Sequence, residues 1–284
     1  MNNRVGVVHT ACCLFLLSLG TAGAKDAKLK PEEVVARHLA AIGSPQAIAA
    51  AKSRALSGSA LATFRLGSQG QMSGPANIVS EGRRARIGIR FQSLDYPGEQ
   101  FAYDEDRVTV GMLRPGQRSN LGSFVYHHDS LMKEGLLGGE LTTAWALLDV
   151  AGRAPKLDYS GMKKIEGKQL HELKYRARKG AGDLQISLYF EPETFRHVMS
   201  QYRLVQPAAM ASTPAASSGQ RDSFYTLSEW FGDFREVDGL TLPHSYKFTY
   251  TIEGQNSTYL ADWVVSDVKI VHNAPVDARV FVIQ

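Results

Sequence analysis

Cysteine occurs at only two positions of this 284-residue chain, Cys12 and Cys13, and both lie in the apolar run that opens it. Once that run is removed no thiol remains, so disulfides and thiol catalysis are excluded and the fold must rely on a large apolar core. Catalytic signatures are missing as well. There is no HExxH, no GxSxG elbow, no P-loop, and no GxGxxG followed by a suitable βα unit. Excess charge is also small, at +4 for the whole chain. Basic residues are dispersed apart from "EGRRAR" at 81 to 86, which reads as a solvated turn. No basic face with interleaved aromatics is visible, so nucleic acid is not an expected partner.

The chain does have an export layout. Arg4 precedes the uncharged apolar run Val5 to Leu19, and Ala22-Gly23-Ala24 supplies a small-residue cleavage site. The run is too short and wrongly flanked for a membrane span, so residues 1–24 read as a signal peptide and the mature chain as 25–284. His9-Thr10-Ala11 does not resemble a lipoprotein-processing site, so lipidation at the cysteines is not expected.

The mature chain starts with helix signals and then changes period. "KPEEVVARHLAAIG" places Pro31 at a first helical position, Val35, Leu39 and Ile42 on one stripe, and Gly43 at the stop. "SPQAIAAAK" offers Ser44 as N-cap of a shorter helix, so helical structure is predicted over about 31–52. From about Leu56 the alternation is two. Tyr246, Phe248 and Tyr250 share a face in "YKFTYTIEG", Ile186, Leu188 and Phe190 in "QISLYFE", and Val108, Val110 and Met112 in "DRVTVGM". Ten or so short strands between turns predict a mainly β (α+β) chain built on one antiparallel sheet, because no helices are available for parallel crossovers. "QPAAMASTPAASSGQ", 206–220, is uncharged and aperiodic and reads as a mobile loop within one domain.

Histidine pairs are the main candidates for chemistry. "YHHD", Tyr126 to Asp129, and His171-Glu172 read as polar residues at strand ends, where neighbours point to opposite faces and cannot jointly chelate one ion. No metal and no cofactor is expected, and no enzymatic activity. The sequon "NST" at 256–258 reads as a turn, and Asp238-Gly239 as a tight hairpin.

One segment breaks the β pattern. In 130–150 the apolar residues Leu136, Leu137, Leu141, Trp145 and Leu148 accompany Gly135, Gly138 and Gly139. Leu137, Leu141, Trp145 and Leu148 fit the stripe of a short amphipathic helix beginning near Gly139, and the glycines weaken helix before it, so one or two short helical pieces joined by flexible links are predicted. A curved sheet needs such a cover for its apolar concave face.

The order of several blocks resembles one family. "HLAAIGSPQAIAAAKSRALSGSA", "FAYDEDRVTV", "LGSFVYHHDSLMKEGLLGGELTTAWALL", "IEGKQLHELKY", "LYFEPETFRHV" and "DFREVDGLTLPH" together resemble the periplasmic outer-membrane lipoprotein-sorting (LolA/LolB-like) proteins. That resemblance implies an open, incompletely closed β-barrel of roughly eleven strands, covered by short helices over a hydrophobic cavity. It also implies a monomeric periplasmic carrier for a lipid or an acylated lipoprotein, exchanging cargo with a membrane-bound donor or acceptor protein. The ligand-facing residues would be Leu136, Leu137, Leu141, Trp145 and Leu148 from the lid. From the barrel they would be Val108, Val110, Met112, Ile186, Leu188, Phe190, Tyr246, Phe248 and Tyr250. The alternatives are an envelope scaffold whose barrel is filled by its own side chains, and a periplasmic hydrolase.

Overall fold

A computed structural model describes residues 29–179, 182–208, 221–254 and 258–283. The expected signal peptide, residues 209–220 of the expected loop, and Asn256 and Ser257 of the sequon lie outside the described residues.

The first strand group comprises β1 (Ser53–Leu66), β2 (Gly70–Glu81), β3 (Arg84–Arg90), β4 (Gly98–Tyr103) and β5 (Val108–Val110). The second comprises β6 (Lys156–Ile165), β7 (Lys168–Arg176), β8 (Gln185–Phe190), β9 (His197–Gln206), β10 (Ser223–Val237), β11 (Leu240–Glu253) and β12 (Thr258–His272). They form one 12-stranded sheet in the order β5-β4-β3-β2-β1-β12-β11-β10-β9-β8-β7-β6. All pairings are antiparallel, and two meanders are joined where β1 pairs with β12. The strands β5 and β6 do not pair, so the sheet is an open barrel, with twelve strands rather than the expected eleven or so. Both free edges carry features that discourage intermolecular pairing: β5 is three residues long, and β6 carries Lys156, Lys163 and Lys164.

Alternation sets the inner face. Along β11, Tyr246, Phe248 and Tyr250 enter the core while Lys247 and Thr249 do not. Register then stacks aromatics across strands: Phe231 sits opposite Tyr246, and Phe248 opposite Trp263, with ring centroids 5.4 and 5.0 Å apart. The hairpin between β10 and β11 turns at Asp238-Gly239 with φ of 51° and 76°, the paired left-handed geometry that this dipeptide favours.

Helix α1 (Pro31–Ile42) buries Val34, Val35, His38 and Ile42, and α2 (Pro45–Ala50) is capped by Ser44 Oγ, which accepts from the Ala47 amide at 3.1 Å. Two expectations are corrected. The "YHHD" stretch is not a strand end: Ser119 Oγ caps α3 (Asn120–His127), which finishes in His127, and His128 caps it. The cover is made of short helical pieces joined by links, as predicted, but more of them, and no continuous amphipathic helix starts at Gly139. It consists of α4 (Ser130–Lys133), 3-10 turns at Gly139–Leu141 and Ala146–Asp149, and α5 (Val150–Arg153). Helix is broken because Gly135, Gly138 and Gly139 all have positive φ, and at Gly135 a Cβ would lie 1.7 Å from the Ala144 carbonyl oxygen.

Candidate functional site: the lid and the interior beneath it

The lid lies on the concave face as part of the core. Leu136, Leu137, Leu141 and Trp145 are buried in one cluster with Val110, Ile186, Leu188, Phe190, Tyr246, Phe248 and Tyr250. Val108 and Leu148 are half-buried against that cluster. Met112 is misplaced in the expected set, being 50% exposed. β5 ends at Val110, the Gly111 amide makes a last bond to the Gln100 carbonyl, and the chain then leaves the sheet for the Arg114–Gln117 turn.

Free space under the lid is small. A void of about 10 Å³ separates Leu137 from Ile87, Tyr246 and Phe248. A half-open depression of about 210 Å³ lies at the lid's edge, between α2, the start of β1, Thr143 and Leu148. Both fall below the roughly 300–1,000 Å³ of ligand pockets, so in this conformation the lid's own side chains fill the interior.

Polar groups that pattern reading overlooked tie the lid to the sheet. Trp145 Nε1 donates to His38 Nε2 at 2.9 Å, and His38 Nδ1 bonds the Phe195 carbonyl at 3.1 Å. This fixes His38 as the neutral Nδ1–H tautomer, so its 3.8 Å contact with Glu140 is not an ion pair. Burial lowers the His38 pKa to about 4, with the Phe195 bond opposing the shift. His197, bonded to Ser200 at 3.0 Å, stacks on Trp145, and burial holds it well below the ordinary histidine value. The Arg54 guanidinium donates to the Glu140 carbonyl, and burial lowers its pKa to about 10. Burial also pushes the Glu140 carboxyl well up, against the pull of Arg54.

A second cluster surrounds Glu229, which is fully buried. Its carboxyl receives the Gly138 amide at 2.7 Å and the Tyr246 hydroxyl on Oε1, and lies 2.6 Å from the Tyr202 hydroxyl at Oε2. The Tyr202 oxygen is also 3.0 Å from the Leu136 carbonyl. Burial raises the Glu229 pKa to about 7 despite these donors. Glu99 is raised to about 7 for the same reason, while accepting from Tyr96 at 2.7 Å and from Ser119, the cap of α3, at 2.8 Å.

These groups do not converge on a reacting centre. Ser200 and His197 form a serine–histidine pair, but both are completely buried. His127 bonds the carbonyl of Ser123, one turn back in its own helix, and His171 bonds Tyr159 and the Pro192 carbonyl. Among the described residues no group of three or more His, Cys, Asp or Glu could hold a metal ion, and no helix is long and apolar enough to cross a membrane.

No family model matches the sequence, and no curated protein matches it. Solved structures do. A LolA superfamily protein from Nitrosomonas europaea is similar at 11% identity and a TM-score of 0.46, covering 89% of this chain and 98% of that one. A DUF1329 family protein from Desulfovibrio piger is similar at 10% and 0.40, with 89% and 98% covered. The third, at 10% and 0.39, is a putative outer membrane lipoprotein-sorting protein domain from Vibrio parahaemolyticus, with 86% and 93% covered.

Proposed function

We propose that this chain is an exported periplasmic carrier that holds a lipid, or the acyl chain of a lipoprotein, between sheet and lid, and that the described conformation is its closed state. The observation that supports this reading is an apolar lid, hinged on glycines at positive φ, laid over an aromatic concave face whose sheet is left open between β5 and β6. The energetics allow capture. Burying an acyl chain of about sixteen methylenes from water is worth roughly 13 kcal/mol at ~0.8 kcal/mol each. Exposing four or five buried lid side chains costs roughly 10 kcal/mol at ~2 kcal/mol each. For an acyl chain exposed to water the two quantities are of the same order, so capture needs no covalent chemistry, and no catalytic step belongs to this reading.

A self-filled envelope scaffold is the second reading, favoured by the void of only about 10 Å³ beneath Leu137. Native mass spectrometry of the protein exported into a bacterial periplasm and purified without detergent separates the two. A bound mass identified as lipid by solvent extraction is expected. A bare polypeptide mass that persists after incubation with phosphatidylglycerol vesicles and a diacylated peptide would overturn the carrier reading in favour of the scaffold.

A further inference from the structure

The hydroxyl of Tyr202 has one hydrogen and two acceptors within reach, Glu229 Oε2 at 2.6 Å and the lid carbonyl of Leu136 at 3.0 Å. Both contacts are hydrogen bonds only if Glu229 carries a proton on Oε2 and donates it to Tyr202, which then donates to Leu136. A carboxylate would take the Tyr202 hydrogen for itself. The lid carbonyl would then keep only its local bond from the Gly139 amide and lose its tie to the sheet.

We propose that Glu229 is a proton-operated latch on the lid, closed while the carboxyl holds its proton and released when the proton leaves. The geometry gives the direction. None of the groups bonded to Glu229 is a cation: they are Tyr202 of β9, Tyr246 of β11 and the Gly138 amide of the lid. The neighbouring titratable groups are His197, linked to the cluster through Ser200 and held neutral by burial, and, on the Trp145 side of the lid, His38 and Glu140. An ionised Glu229 keeps the donors Tyr202, Tyr246 and the Gly138 amide but gains no cation, so burial still disfavours its charge. Lifting segment 136–139 hydrates the charge, and the positive-φ glycines at 135, 138 and 139 supply the turns about which it moves.

The latch rests on the lid-opening part of the carrier reading but needs no lipid, so the two fail separately. The test is amide hydrogen exchange of residues 136–141 in the lipid-free full chain, corrected for intrinsic rates. With the closed-state pKa at about 7, and an ordinary value of 4.5 once hydrated, the opening equilibrium should rise about thirtyfold between about pH 5.5 and pH 8.5. Glu229→Gln, which mimics the protonated acid with a donor in place of its O–H, should abolish the rise. A wild-type rise below about threefold, or an equal rise in the variant, overturns the latch. Should the variant not fold, carbon-13 titration of the wild-type glutamate carboxyls decides. A Glu229 inflection that coincides with the exchange step supports the latch, and one at the ordinary carboxylate value refutes it. A latch found in a protein that never binds lipid would leave this inference standing and sink the carrier reading.

Discussion

His38→Gln isolates one buried titration from the rest of the core. In the wild type, His38 is fully buried, bonds the Phe195 carbonyl through Nδ1, and accepts from Trp145 through Nε2. Burial disfavours the charged imidazolium, with the Phe195 bond opposing, and holds the folded value at about 4 while the unfolded value is near 6.5. Because the folded value is the lower one, the stability tied to neutral His38 is fully present above about pH 6.5 and is lost as pH falls through about 4. A displacement of about two and a half units at ~1.36 kcal/mol each makes the loss about 3 kcal/mol. Glutamine keeps an oxygen for Trp145, does not titrate, and deprives the Phe195 carbonyl of its donor, so the variant should be weaker by roughly 1–3 kcal/mol at pH 7.5. Near pH 4 that difference should shrink or invert, changing by about 3 kcal/mol across the range. Urea unfolding followed by circular dichroism at four pH values, with matched m-values, measures it. A wild-type-minus-variant difference that stays constant with pH would show that His38 does not titrate in this way.

Two further substitutions probe the lid and one the helical start. Gly135→Ala should cost roughly 3 kcal/mol or more, since φ is +64° and the new methyl would meet the Ala144 carbonyl. Gly161→Ala, at φ +88° with open space around it, is the control and should cost about 1 kcal/mol; equal losses in thermal unfolding would discredit the packing argument. Leu137→Ala should destabilise by about 2–5 kcal/mol and enlarge the void against Phe248, so a carrier would gain affinity for a fluorescent fatty acid while a filled scaffold would only weaken. Ser44→Ala removes the cap bond to Ala47, and a loss near 1 kcal/mol in urea unfolding is expected.

The strands that alternation revealed are those with a pure apolar face. β8 and β11 are examples, and their inward residues lie in the core as expected. β2 was illegible because "GQMSGPANIVSE" is full of turn formers. Its pairing with β1 runs from Gly70 to Glu81, and a Cβ at Gly74 would lie 2.0 Å from the Arg90 carbonyl oxygen, so only glycine fits there. Pro75 is tolerated because pairing with β3 begins at Ala76, one residue later, so its missing N–H breaks no rung on that side. The lid's position and its broken helical character were legible from its glycines, while the helical stripe from Leu137 to Leu148 was not realised, because glycines at positive φ and a tie from Trp145 to His38 outweigh it.

The polar interior is hidden for a different reason: periodicity marks the apolar residues of a buried face, and the informative residues are the polar ones standing in apolar register. His38 sits three and four residues after Val35 and Val34, on the buried stripe of α1. Glu229 lies between Leu227 and Phe231 on the inner face of β10, and Tyr202 faces it from β9. A core sealed only for stability would favour leucine at such positions, because a buried carboxyl or imidazole must be satisfied at a cost in desolvation. Here each of these groups bonds the lid directly or through one hydroxyl, at Gly138, Leu136 or Trp145. These hydrogen bonds add to the packing of Leu136, Leu137, Leu141 and Trp145 in fixing the conformation of the segment, and they do so at specific atoms of backbone and indole.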